Sequence, residues 1–186
     1  MVSFVLNEEE LEVEEGTTIL EAALDAGVEI PNLCYHEELS PYGACRLCLV
    51  EIKENGKSHL EPSCQTKVSE GVEVKTHNER IEERRSIILE LLLAEAPDSE
   101  ELRQLAAKHG VTESRFELNS QGKCMLCGLC VRVCDEVVGM KAISFSDRGG
   151  EKKVKTPFDK ISETCIGCGA CAYICPTDAI EVEEVT

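Results

Sequence analysis

The chain has 186 residues and a formal net charge of −17, with only 4% aromatic residues and no tryptophan. Its acidity argues against binding to nucleic acid or to an anionic lipid surface, and the few aromatic residues argue against a large aromatic core. The acidic residues form either a solvated surface or a docking surface for a basic partner. Met1 to Glu10 lack the basic and apolar regions of a secretory signal, so we expect a cytoplasmic chain.

The first 77 residues have the pattern of a compact α+β domain. Thr18 and Glu21 match the capping box of a helix that follows them. The dipeptide Asn55-Gly56 is the strongest short turn signal in the chain and predicts a hairpin. The predicted strands are Val2–Leu6, Glu10–Val13, Leu49–Ile52, Ser58–Glu61 and Val72–Lys75.

Residues 78–113 are predicted to form a helical connector. Apolar residues recur at helical intervals over 79–96, and a second short helix is predicted over 99–108. No cysteine lies between Cys64 and Cys124, so we expect no thiolate-ligated centre here. The connector either covers the apolar sides of the flanking modules or presents a helix to a partner.

Residues 114–186 contain an internal repeat of the spacing C-x2-C-x2-C-x3-C. The two runs are Cys124, Cys127, Cys130 and Cys134, and Cys165, Cys168, Cys171 and Cys175. Each run predicts a ligand loop with a short helix that begins near its third cysteine. Strands are predicted to follow at Ala142–Phe145 and Ala179–Val182. The insert Ser146–Pro157 is predicted to be an exposed loop, whose lysines are either solvated or in contact with a partner.

This spacing is that of bacterial ferredoxins with two [4Fe–4S] clusters, in which the fourth cysteine of each run ligates the other cluster. Thiolates are soft donors that suit iron–sulfur clusters, whereas zinc sites rarely use three cysteines so spaced. A G-x-G-x-x-A match at 167–172 fails as a dinucleotide fingerprint, because no parallel βαβ unit surrounds it. The predicted ligand sets are Cys124, Cys127, Cys130 and Cys175 for one [4Fe–4S] cluster, and Cys134, Cys165, Cys168 and Cys171 for the other.

The remaining cysteines have a different spacing and resemble a [2Fe–2S] site on a β-grasp fold. Their first gap is longer than in the plant-type spacing, and zinc is the alternative metal. This set is Cys34, Cys45, Cys48 and Cys64. No cysteine is left over, and no Ser/His/Asp, Cys/His or paired-carboxylate pattern predicts a catalytic residue.

Three stretches carry a family resemblance: CYHEELSPYGACRLCLVEI, CMLCGLCVRVCDEV and CIGCGACAYICPTDAI. In this order they resemble the electron-transfer subunit of NAD-linked hydrogenases. They equally resemble the N-terminal region of the complex I large iron–sulfur subunit, of iron-only hydrogenases and of NAD-dependent formate dehydrogenases. Many members of this group carry an extra [4Fe–4S] centre, held by one histidine and three cysteines, where the connector here has no cysteine. The resemblance therefore implies one [2Fe–2S] and two [4Fe–4S] clusters.

The resemblance implies an α+β protein with a β-grasp [2Fe–2S] domain at 1–77, a helical connector at 78–113 and a two-[4Fe–4S] ferredoxin domain at 114–186. It implies a non-catalytic subunit that passes electrons between a flavin- and NAD(P)-binding diaphorase subunit and a catalytic subunit, a hydrogenase first and a formate dehydrogenase next. Since few residues follow Cys175, we expect catalysis on another polypeptide. The alternatives are a freestanding, diffusible electron carrier and a zinc-stabilised interaction module.

Overall fold

A mixed five-stranded sheet organises the first part of the chain, in a computed structural model that describes residues 1–118 and 122–182. Its strands are β1 (Val2–Leu6), β2 (Glu9–Val13), β3 (Leu49–Glu54), β4 (Lys57–Pro62) and β5 (Glu73–Lys75). Their spatial order is β2-β1-β5-β3-β4, with β1 and β5 parallel and the other neighbours antiparallel. The five predicted strands are confirmed, with ends that shift by one or two residues.

The sequence signals for local structure in this module act as predicted. Asn55 and Gly56 have φ values of 51° and 75°, the left-handed pair that a two-residue hairpin turn requires, and they join β3 to β4. Helix α1 (Ile19–Asp25) begins with a complete capping box between Thr18 and Glu21. The buried face of α1 packs on the sheet, which gives the module its own apolar core.

Two helices form the connector, α2 (Glu79–Glu95) and α3 (Glu100–Lys108), and their N-caps are Asn78 and Ser99. Their buried faces join a second apolar core, which extends from the loop before β3 to the first cysteine run of the repeat. Its members include Leu47, Leu89, Leu93, Leu102, Ala106, Met125 and Leu129. The connector thus packs against both cysteine-rich parts of the chain. No described helix is long and apolar enough to cross a membrane.

A buried arginine fastens α2 to the sheet. Arg85 is 2% exposed, and its guanidinium donates hydrogen bonds to the carbonyl oxygens of Leu47, Leu49 and Thr76. It also forms an ion pair with Glu82 at 2.8 Å. Because its donors are paired, the cost of burying its charge is largely offset.

The repeat has short helices where the sequence predicts them. Helix α4 (Leu129–Arg132) and helix α5 (Ala170–Tyr173) each contain the third cysteine of a run. A single π-helical turn, Val133–Val137, extends α4 and contains Cys134. Gly128 and Gly169, at equivalent positions in the two runs, have φ values of 77° and 72° and start these helices.

The strand predictions for the repeat are partly wrong. The strand expected at Ala142–Phe145 is β6 (Ser144–Ser146), and it pairs with β7 (Lys153–Lys155) inside the segment predicted to be an exposed loop. The residues predicted as a strand at 179–182 are not in a strand. The local hairpin closes only a short loop, which costs less entropy than a pairing across the repeat. Ala179 donates its N–H to Cys175 Sγ at 3.3 Å, so that group is not available to a strand ladder.

Candidate metal centres

The first set of cysteines is buried between the sheet and the connector. Cys34 follows α1, Cys45 and Cys48 precede β3, and Cys64 follows β4; each is 1–2% exposed. The backbone N–H of Cys45 donates to Cys34 Sγ at 3.4 Å. The structure therefore brings together four thiols that are up to 30 positions apart in the sequence.

Hydrogen bonds between these thiols set their acidity. A hydrogen bond from Cys45 lowers the pKa of Cys34 to about 6, against the opposing effect of burial, and the nearby Arg132 charge adds to the lowering. A hydrogen bond from Cys64 likewise lowers the pKa of Cys48 to about 6, again against burial. The pKa values of the donors Cys45 and Cys64 are raised by the same pairings. These pairings favour the thiolate form of Cys34 and Cys48, which is the form that binds iron.

The second set combines cysteines from both runs of the repeat. One cavity is lined by Cys124, Cys127 and Cys130 of the first run together with Cys175 of the second. Burial raises the pKa of Cys127 to about 11 and that of Cys130 to about 12, and neighbouring cysteines add to both shifts. A metal that binds here must displace thiol protons, which makes binding pH-dependent.

The third set has the reciprocal composition. A cavity of about 500 Å³ is lined by Cys134 of the first run together with Cys165, Cys168 and Cys171 of the second. Cys134 Sγ accepts the N–H of Ala142 at 3.2 Å. Each cavity thus has three cysteines from one run and one from the other. That these thiolates ligate the clusters stays a prediction, which the grouping supports.

Exposure increases from the first set to the third. The first set is fully buried, Cys127 and Cys130 in the second are 7% exposed, and Cys165 and Cys168 in the third are exposed. Apolar side chains, among them Ile161 and Ile166, line the open third cavity. The third set is therefore the one that lies at the described surface.

Three of the four histidines make contacts away from the cysteine sets. His36 accepts an N–H from Glu38, His77 contacts the Thr76 hydroxyl, and His109 pairs with Glu82 at 2.9 Å. Within 1–118 and 122–182, no group of three or more His, Cys, Asp or Glu side chains is arranged to hold a single metal ion.

The first and second sets are joined by a contact that the sequence analysis missed. Arg132, at the end of α4, donates hydrogen bonds to the carbonyl oxygens of Cys34, at 2.7 Å, and of Ser40. Its guanidinium also lies 5.4 Å from the ring centroid of Tyr42. A signal was present in the sequence, since Arg132 is the only charged residue between Cys124 and Cys134.

Comparison with known proteins assigns both cysteine-rich modules. A family model described as a 2Fe-2S iron-sulfur cluster binding domain matches residues 1–79, and one described as a 4Fe-4S dicluster domain matches residues 123–179. A chain in the crystal structure of NAD⁺-reducing [NiFe]-hydrogenase in the H2-reduced state has a TM-score of 0.72 and 34% identity, covering 83% of this chain and 74% of that chain. The protein belongs to the same family of iron–sulfur subunits as this hydrogenase chain.

Curated relatives place the iron–sulfur subunit in the same group. A subunit of the NADH-quinone oxidoreductase of Rhizobium meliloti (strain 1021) is 35% identical over 97% of this chain and 24% of its own length. The HndD subunit of the NADP-reducing hydrogenase of Solidesulfovibrio fructosivorans is 32% identical over 99% of this chain and 36% of its own length. The chain thus spans only a quarter to about a third of these relatives.

The family assignment confirms the fold class and the cofactors. The iron–sulfur subunit is an α+β protein with one [2Fe–2S] cluster in its sheet domain and two [4Fe–4S] clusters in its dicluster domain. It is an electron-transfer subunit akin to those of NAD(P)-linked hydrogenases and complex I. The boundaries 1–77, 78–113 and 114–186 stay a prediction.

Proposed function

We propose that the subunit relays electrons between a flavin- and NAD(P)-binding diaphorase subunit and a catalytic subunit of a larger oxidoreductase, a hydrogenase first and a formate dehydrogenase next. The observation that carries this proposal is the arrangement of the cysteines. The first set shares an apolar core and the Arg132 contact with the second, and the second interlocks with the third through Cys134 and Cys175. The clusters, when bound, supply reversible one-electron storage.

We assign the ligands from this grouping. The [2Fe–2S] cluster is held by Cys34, Cys45, Cys48 and Cys64. The [4Fe–4S] cluster next to it is held by Cys124, Cys127, Cys130 and Cys175. The distal [4Fe–4S] cluster is held by Cys134, Cys165, Cys168 and Cys171. In this assignment, the crossed cysteines make the two runs one rigid unit, which keeps the distances between redox centres fixed.

The protein supplies insulation and tuning around these sites. The connector residues Leu89, Leu93 and Leu102 are buried against the first and second sets, so water is excluded from the region between them. Backbone N–H groups of Cys45, Ala142 and Ala179 donate to cysteine sulfur atoms. Such hydrogen bonds favour added negative charge and therefore raise reduction potentials.

The surfaces near the third and the first cysteine sets differ in chemistry, which supports a different partner at each of them. Ile161 and Ile166, which line the cavity of the third set, are 74% and 65% exposed, which favours an apolar contact with the catalytic subunit. Near the first set, burial and the carboxylates of Glu21, Glu37 and Asp25 raise the pKa of Tyr35. Tyr35 and these three carboxylates line one acidic groove. The groove favours a basic partner, which we assign to the diaphorase subunit.

Anaerobic purification from native cells under gentle conditions, followed by mass spectrometry, tests the proposal. We expect a flavoprotein and a subunit with a redox catalytic centre to co-purify. Ile161→Glu should release the catalytic subunit and retain the flavoprotein, because it places a charge in the apolar face. Leu91→Glu, which changes an exposed leucine on α2, should retain both. A brown, partner-free monomer at full yield would favour the diffusible carrier instead.

A further inference from the structure

Arg132 connects the ligand helix of one predicted cluster to the ligand loop of another. It lies two residues after Cys130 and two before Cys134. Its Nη2 donates to the carbonyl oxygen of Cys34 at 2.7 Å, and its Nη1 donates to that of Ser40. With the Tyr42 ring facing the guanidinium, all three contacts are to the loop between Cys34 and Cys45. One side chain thus fixes that loop against α4.

A second contact strengthens this clamp. Glu136, one helical turn after Arg132, accepts the backbone N–H of Ser40 at 2.8 Å. Ser40 is therefore held through both its N–H and its carbonyl group. Arg132 Nε is buried and has no hydrogen-bond partner among the described residues. Leaving a buried N–H group without a hydrogen-bond partner costs free energy, so packing alone does not explain an arginine at this position.

The charge of Arg132 has a specific electrostatic consequence. Acidic residues outnumber basic ones by 36 to 19 in this chain, yet the only charge in the run from Cys124 to Cys134 is positive. Cys34 and Cys127 belong to one apolar core, so the first and second cysteine sets meet in a region of low dielectric constant. A cation there favours the state with one more electron.

We propose that Arg132 is a positioning and potential-setting residue for electron transfer between the [2Fe–2S] cluster and the adjacent [4Fe–4S] cluster. This inference rests on the proposed relay function. Arg132 holds the Cys34 loop at a fixed place on α4, and its charge raises the reduction potential of the [2Fe–2S] cluster. The step moves one electron from one centre to the other and neither breaks nor forms a bond.

The test is an EPR-monitored redox titration of the anaerobically purified holoprotein. Arg132→Gln should lower the equilibrium constant for reducing the [2Fe–2S] cluster about tenfold. For a one-electron step, this is a fall of about 59 mV in the reduction potential. Arg132→Lys, which keeps the charge, should recover most of the shift. Arg148→Gln, which removes an exposed arginine of the same module, is the matched control and should leave the potential unchanged.

Glu136→Gln separates the electrostatic role from a purely structural one. Removing this negative charge should raise the reduction potential of the [2Fe–2S] cluster, which corresponds to an increase of about threefold in the equilibrium constant for its reduction. If the two residues acted only by holding the loop, Arg132→Gln and Glu136→Gln would shift the potential in the same direction. Unchanged potentials in both variants, or shifts of the same sign, would overturn the proposal. If Arg132→Gln assembles no [2Fe–2S] cluster, the Glu136→Gln variant tests the proposal alone: a rise in its [2Fe–2S] potential supports the electrostatic role, and a fall contradicts it. The relay itself is tested separately by co-purification, so the two can fail independently.

Discussion

Cys134 illustrates how much depends on a single residue. It lies in the first cysteine run, yet it lines the cavity formed by the second run and accepts an N–H from Ala142 there. Its thiolate is therefore assigned to the distal cluster, although the other cysteines of its own run are assigned to the adjacent one.

Cys134→Ala should remove the distal [4Fe–4S] cluster and spare the other two. We expect the iron content to fall from about ten to about six atoms per chain, with the [2Fe–2S] EPR signal retained. Cys175→Ala is the matched variant and should remove the adjacent [4Fe–4S] cluster instead. Loss of the adjacent cluster in Cys134→Ala would contradict the crossed assignment.

Gly128 and Gly169 offer a comparison within the repeat. Both have positive φ and occupy equivalent places in their runs, so alanine at either position costs about 1 kcal/mol of backbone strain. A Cβ at Gly128 would also lie 3.1 Å from Phe145 Cζ and 3.4 Å from Tyr42 Cε1, whereas at Gly169 it would meet nothing within 4 Å.

Gly128→Ala should therefore lower the free energy of unfolding by about 1 kcal/mol more than Gly169→Ala does. Anaerobic urea unfolding of the two holoproteins measures the difference. Equal losses would show that the Phe145 ring moves away from the added methyl group at little cost.

At the scale of elements, Arg85 makes α2 part of the sheet domain. Arg85→Met leaves the carbonyl oxygens of Leu47, Leu49 and Thr76 without this donor and should lower the free energy of unfolding by about 3 kcal/mol. Arg84→Met, which changes the neighbouring exposed arginine, should cost little. Denaturant unfolding measures both, and similar losses in the two variants would contradict the role assigned to Arg85.

Local elements were predictable where short-range chemistry decides them. The capping box at Thr18 and the Asn55-Gly56 turn involve residues within a few positions of each other. The hairpin of β6 and β7 was missed because an alternating Lys-Val-Lys strand in a polar insert resembles a loop. The strand expected at 179–182 was wrong because the cysteine site there competes for backbone N–H groups.

At the scale of the whole molecule, the cysteine spacing predicted which residues come together, and the structure groups them in those three sets. The contact of Arg132 with Cys34 could not be derived, because it joins residues 98 positions apart and depends on how the modules pack. The connector supplies that packing through a core common to both modules. The sequence therefore predicted which cysteines lie together, while the structure adds the contact between the modules.

The most direct test of the account is an iron and sulfide determination, with EPR, on protein purified anaerobically from its native cells. Three clusters predict about ten irons and ten inorganic sulfides per chain, with one [2Fe–2S] and two [4Fe–4S] signals on reduction. About fourteen irons would mean a further centre in the connector. A colourless, iron-free native protein would contradict the electron-relay account altogether.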